Sequence, residues 1–281
     1  MRWLELIISV SILIQLASRV RAEALKMIHD AGTGHTGGAL SVADILTVLY
    51  ADVMNVFPDR PDAPERDRFF LSKGHSCEAY YALLADLGFF PRAELCEFSR
   101  AGARLIGHPN NRVPGVEVCT GALGHGLPVA AGAALGAKRT GAAFRCYVVM
   151  GDGELAEGSI WEAAMAAANY RLDNLWAIVD RNGLQISGST EEVMAMGDLA
   201  GKWRAFGWDV CEADGNDVQA LRDYFASSRP SGQPHCLIAH TVKGKGLPCA
   251  ENQAAWHHKV PDSTQLAEAY RNLGITEVAF E

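Results

Sequence analysis

Asp152 and Asn182 are the residues whose types and spacing speak most clearly of chemistry. They lie in VVMGDGELAEGSIWEAAMAAANYRLDNLWAIVDRNGLQISG. Asp152 sits just past one apolar run, RCYVVM, and Asn182 just past the next, LWAIVD. Ligands of open parallel sheets bind outside the C-terminal ends of the strands. The helical segment between the two runs returns the chain, so both side chains can reach one rim. A carboxylate and an amide oxygen suit a hard, oxygen-seeking cation such as Mg2+, with phosphate oxygens and water filling its other positions. Gly153 adds no side chain, so its backbone N–H and those of the following helix start can face a diphosphate. Gly-Asp-Gly alone is also an ordinary turn. The Asn-Gly at the next strand end lifts it above one.

Histidines form the second chemical signal. Five of the nine sit in short loops of similar composition. They are His35 in GHTGG, His75 in SKGHS, His108 in GHPN, His125 in LGHG and His257 in WHHK. A lone loop histidine is usually just solvated, because catalysis requires positioning partners. Several set among glycines read differently. Imidazoles hydrogen-bond sugar hydroxyls, stabilise developing oxyanions and contact phosphate. The stretch GTGHTG formally matches a dinucleotide fingerprint, but it follows a helix instead of a strand, and no P-loop sequence occurs.

The elements that must position these residues alternate. The segments 67–72, 145–150, 175–180, 208–214 and 235–242 read as short apolar strands, the first of them buried. Between them EGSIWEAAMAAANY and DVQALRDYFASS read as helices, and CEAYYALLADLG as another, closed by Gly88. Residues from about Leu16 to Ala31 form an amphipathic helix with Val20, Ala24, Met27 and Ile28 on one face. The loop GTGHTGG ends it, and Ser41 then caps a second helix, with Asp44 completing a capping-box-like start. The fold class is therefore α/β, a parallel sheet flanked by helices. Residues 16–281 make one domain, and residues 1–15 are an apolar extension with no assignment.

Composition bounds the partners. A formal charge of -8, without a long Lys/Arg run, gives no electrostatic pull toward nucleic acid. The N-terminal apolar stretch is broken by Glu5 and Gln15, and is too short for a membrane span. The seven cysteines are scattered, odd in number and never spaced as C-x-x-C, which predicts reduced thiols and a cytoplasmic protein.

Taken together, AGTGHTGGALSVADIL, DRFFLSKGHS, IGHPN, TGALGHGLPVAAGAALGAK, the whole GDG-to-Asn segment and HTVKGKGLP followed by WHH resemble the N-terminal part of transketolases, in order and spacing. The resemblance runs from about residue 16 to 260 and implies thiamine diphosphate with Mg2+, or another divalent cation such as Ca2+ or Mn2+. It implies that Asp152, Asn182 and the Leu184 carbonyl hold the metal, and that Gly153, His75 and His257 meet the diphosphate. Gly121 and Leu123 would line the cofactor's rings. Glu157 would link two cofactor sites across a dimer interface. His35, His108 and His257 would line the donor-sugar channel and assist proton transfer.

The sequence also departs from that family. Thr36 stands where a proline is usual, which predicts a looser loop beside His35. Arg181 precedes the metal asparagine in place of the commoner Asn or Asp. His258 replaces a glycine frequent in split forms, leaving the choice between His257 and His258 open.

The implied activity is transfer of a two-carbon ketol unit from a ketose phosphate to an aldose phosphate, with pentose phosphates as default substrates. The chain stops where the first domain of such enzymes ends. A second chain carrying the pyrimidine-binding and C-terminal domains is therefore expected, in an α2β2 assembly. Two other readings remain: the α subunit of a 2-oxoacid dehydrogenase, which shares the GDG-to-Asn motif but lacks the histidine-loop series, and a catalytically silent paralogue that serves as a scaffold.

Overall fold

The computed structural model describes residues 8–280. Its centre is a five-stranded, wholly parallel sheet in the order β1-β2-β3-β5-β4. The strands are β1 (Arg68–Leu71), β2 (Cys146–Gly151), β3 (Leu175–Arg181), β4 (Asp209–Asp214) and β5 (His235–His240). Helices α1 (Val10–Ala31), α2 (Thr36–Ser41) and α3 (Ala43–Val48) precede β1. Helices α4 (Cys77–Asp86) and α5 (Gly126–Thr140) lie between β1 and β2, and α6 (Gly158–Asn169) joins β2 to β3. Helices α7 (Thr190–Val193) and α8 (Leu199–Ala205) precede β4, α9 (Val218–Ser227) joins β4 to β5, and α10 (Ser263–Leu273) follows.

The α/β fold expected from the alternating pattern is present, with both sheet faces covered except at the edge strand β4, most of whose residues are exposed. Successive strand residues point to opposite faces. Tyr147 and Val149, Trp176 and Ile178, and Leu237 enter the core shared with α1, α3, α4 and α9. Their neighbours Cys146, Val148, Met150, Ala177, Val179 and Ile238 enter the core shared with α5, α6 and α8. Burial on both sides is why these strands read as unbroken apolar runs.

Three local features differ from expectation. Helix α1 starts at Val10, where the Ser9 hydroxyl accepts the Ile12 N–H, and Leu13 is fully buried. Residues 10–15 are thus its first turns, while residues 1–7 of the expected extension lie outside the described residues. Ser41 ends α2 and caps nothing; its hydroxyl donates to the Gly38 carbonyl and to Asp180 at 2.6 Å. Asp44 pairs with the buried Arg21 guanidinium instead of completing a capping box. Finally, Thr36, Gly37 and Gly38 are the first turn of α2, not loop. All seven cysteines are free, and no described helix is long and apolar enough to cross a membrane.

Candidate functional site

Four neighbouring strand ends meet at one rim. Ser72 and Lys73 follow β1, Asp152 follows β2, Asp180 and Asn182 mark the end of β3, and Thr241 and Lys243 follow β5. Asp152 is buried. Its Oδ1 accepts the Gly153 N–H at 2.8 Å, and its Oδ2 accepts the Gly183 N–H at 2.6 Å and Arg181 Nη1 at 3.1 Å. Burial raises its pKa, against the opposing pull of the Gly183 hydrogen bond and of Arg181. Asn182 Oδ1 accepts the Leu184 N–H at 3.2 Å, and the Leu184 carbonyl accepts Lys243 Nζ at 3.3 Å.

Asp152 thus lies against the 182–184 turn that carries the other two expected metal oxygens. The set is one carboxylate, one amide and one carbonyl, a donor chemistry that fits Mg2+ better than a soft metal. Among the described residues no cluster of three His, Cys, Asp or Glu offers an alternative. Gln185 Nε2 is buried without a partner, and a Cβ at Gly153 would come within 2.8 Å of Gln185 Cγ. The turn is therefore built around a glycine and leaves a polar donor unspent. The Gly153 N–H itself is taken by Asp152, so Gly153 serves by its missing side chain more than by a free donor.

Behind the turn lies a buried ion pair. Lys73 and Asp180 are essentially inaccessible and bonded to each other. Asp180 also accepts the Ser41 and Thr241 hydroxyls, while its Oδ1 accepts Asn182 Nδ2 at 3.3 Å. Burial pushes its carboxyl up, but the Lys73 charge and these hydrogen bonds outweigh it and hold the pKa below the usual range. Glu154 plays a similar part on the other side. It accepts the Ser72 hydroxyl, the Gly124 N–H at 2.9 Å and the Gly151 N–H at 3.1 Å, tying three loops together.

Four of the five loop histidines converge, and His258 joins them. The His35 ring centroid lies 5.4 Å from that of His75, 5.9 Å from His108, 5.6 Å from His257 and 4.5 Å from His258. His75 and His257 are 5.0 Å apart. His125 sits at the entry to α5, outside this group. His257 is the inner member of its pair: it reaches His75, and its Nδ1 lies 3.2 Å from Lys243 Nζ. His258 is exposed.

Burial, reinforced by neighbouring imidazoles and lysines, lowers the His35 pKa to about 4 and that of His257 to about 3. The same causes hold His75 well below its usual value, and burial lowers His108. Burial, with Lys73 beside it, also brings Lys243 down to about 8. Near pH 7 the four shifted imidazoles are neutral, so each offers one donor and one acceptor. His35 Nδ1, Ser76 Oγ and Thr120 Oγ1 are buried without partners. Such orphans suit a polar ligand.

Gly121 has φ 143°, and a Cβ there would meet His108 Cδ2 at 2.9 Å. Leu123 is half-buried in the same loop. Glu157 is exposed at the start of α6, packed so closely on Gly124 that a Cβ at Gly124 would come within 2.6 Å of it. Residues that sequence reasoning passed over are Lys73, Glu78, Asp180 and Lys243. The repeated Lys-Gly after a strand, in SKGHS and in TVKGKG, is the signal that could have marked the two lysines.

Residues 13–281 match the profile of the transketolase, thiamine diphosphate binding domain. The chain is 49% identical over 254 residues to one of the subunits of the apulose-4-phosphate transketolase of Phocaeicola vulgatus, covering 90% of each protein. It is 41% identical to a 6-deoxy-6-sulfo-D-fructose transketolase subunit from a Clostridium species, covering 86% of this chain and 89% of that one. The crystal structure of Campylobacter jejuni transketolase superposes with a TM-score of 0.93 at 28% identity, over 98% of this chain but 44% of that one. By its profile, its relatives and its architecture, the chain belongs to the transketolase family, as that family's thiamine diphosphate binding domain.

Proposed function

We propose that the chain is the diphosphate-binding half of a two-chain transketolase, completed by a partner that carries the pyrimidine-binding domain. The observation that carries this reading is coverage. The chain matches a relative named as one subunit over nine-tenths of both proteins, yet spans less than half of a transketolase that is one long chain. Exposed apolar side chains support association: Met165 and Tyr170 on and after α6, Val129 on α5, and Ile186 and Met194 beyond the metal turn. An α2β2 assembly brings Glu157 to the interface between copies. The protein works in the cytoplasm on sugar phosphates.

When bound, thiamine diphosphate supplies the electron sink that permits cleavage beside a ketose carbonyl. The chain's own residues bind and orient. Asp152, Asn182 and the Leu184 carbonyl hold Mg2+. Gly153, His75 and His257 border the diphosphate, and Lys243 adds a cation beside His257. Gly121 and Leu123 line the rings. His35, His108 and His257, neutral near pH 7, exchange hydrogen bonds with sugar hydroxyls and move protons.

The test is affinity capture of tagged chain from its native host with Mg2+ and thiamine diphosphate, followed by assay of ketol transfer. A stoichiometric second chain with activity only in the joint fraction is expected. Decarboxylation of a 2-oxoacid in place of ketol transfer would establish the dehydrogenase reading instead.

A further inference from the structure

The residue expected to loosen the His35 loop makes a contact of its own. Thr36 is fully buried, and its hydroxyl donates to the Lys259 carbonyl at 2.6 Å. Lys259 directly follows His257 and His258. A proline at position 36 has no hydroxyl and could not make this bond. Other contacts run the same way. The Gly37 carbonyl accepts the Gly244 N–H at 3.0 Å, and His29 Nδ1 lies 2.8 Å from the Pro261 carbonyl. A Cβ on Gly37 would come within 2.9 Å of the Trp256 carbonyl, so the two segments touch backbone to backbone. On its other side, the His35 N–H is held by Glu78 at 2.9 Å. The His35 and His258 rings then meet edge-on at 4.5 Å.

We propose that Thr36 is a positioning residue: its hydroxyl ties the His35 loop to the His257–Lys259 turn, so that His35, His257 and His258 move as one wall of the donor-sugar channel. The inference rests on the transketolase reading for its substrate but not for its geometry. Rigidity that a proline would give by fixing φ comes here from a cross-link between loops. His258, exposed beside His35, becomes part of the channel wall through that link.

The test compares Thr36→Val, Thr36→Ser and Thr36→Pro in the complete two-chain enzyme. Valine keeps the shape and removes the hydroxyl, and serine restores it. One hydrogen bond of this kind corresponds to roughly a threefold to tenfold change. Thr36→Val is expected to lower kcat/KM for the donor ketose by about that factor. It should also speed amide exchange across residues 257–260. Thr36→Ser should restore both, and Thr36→Pro should keep the fast exchange. Wild-type kcat/KM or wild-type exchange in Thr36→Val would overturn the proposal. Exchange is read without turnover, so an enzyme inactive on ketoses would refute the functional reading while leaving the tether to be judged separately.

Discussion

Glu78 offers a sharp test of how the His35 loop is held. The side chain is fully buried at the start of α4. Its Oε1 accepts the His35 N–H at 2.9 Å, and its Oε2 has no partner. Burial pushes its pKa from 4.5 to about 7, against the pull of the His35 hydrogen bond. A carboxyl whose folded pKa is raised keeps its proton between pH 4.5 and 7, where the unfolded chain has already released it. Stability therefore falls as pH rises through that window, and the penalty is complete above pH 7. At 1.36 kcal/mol per unit, the shift corresponds to about 3 kcal/mol. Glu78→Gln keeps an oxygen for the His35 N–H and removes the ionisation. Urea unfolding of the variant and the wild type at pH 5 and pH 8 measures the difference directly. The variant should gain about 2–3 kcal/mol on the wild type between those two pH values, the rest of the penalty being already present at pH 5. Glu23, whose pKa burial also raises to about 7, titrates in both proteins and cancels. An equal stability difference at pH 5 and pH 8 would show that Glu78 does not hold its proton through that window.

Other outcomes follow from the same geometry. Lys73→Met leaves the Asp180 carboxylate buried with only the Ser41 and Thr241 hydroxyls and the Asn182 amide as partners and should cost about 3–5 kcal/mol in urea unfolding; Lys73→Met with Asp180→Asn together should recover much of it. The folded pKa values of His35 and His257, about 4 and about 3, lie below the usual 6.5. The unfolded chain therefore takes up protons first on acidification. Stability from these groups is complete above pH 6.5 and is lost as pH falls toward 4, a slope that His257→Gln should flatten in denaturation measured between pH 7 and pH 4.

Much of the fold was legible because sheet burial leaves a plain trace. The strands from Arg68, Cys146, Leu175 and His235 are apolar on both faces, and β2 and β3 end beside the candidate metal residues. Asp152 and Asn182 could be read as a pair because each follows such a strand. Helix α5 was harder: its run of Ala and Gly has little amphipathic contrast and buries small residues against the sheet. Ser41 and Asp44 show the limit of local rules. Their spacing imitates a helix cap, but the partners that claim them, Asp180 and Arg21, lie far away in sequence. Lys73, Glu78 and Lys243 escaped notice for a related reason. A lysine or glutamate reads as surface until folding surrounds it, and only tertiary structure shows that Lys73 is buried on Asp180 or that Lys243 faces Leu184 and His257. The shared glycine-rich settings grouped five loop histidines but could not show that four of them converge, that His258 joins them or that His125 stays apart.

The assignment of the metal and diphosphate site to this chain is tested most directly by titrating the two-chain assembly with thiamine diphosphate, with and without Mg2+, for the wild type and Asp152→Ala. Mg2+-dependent binding is expected in the wild type and lost in the variant, with the far-ultraviolet circular dichroism of the two unchanged. Mg2+-dependent binding of equal strength in Asp152→Ala would contradict that assignment.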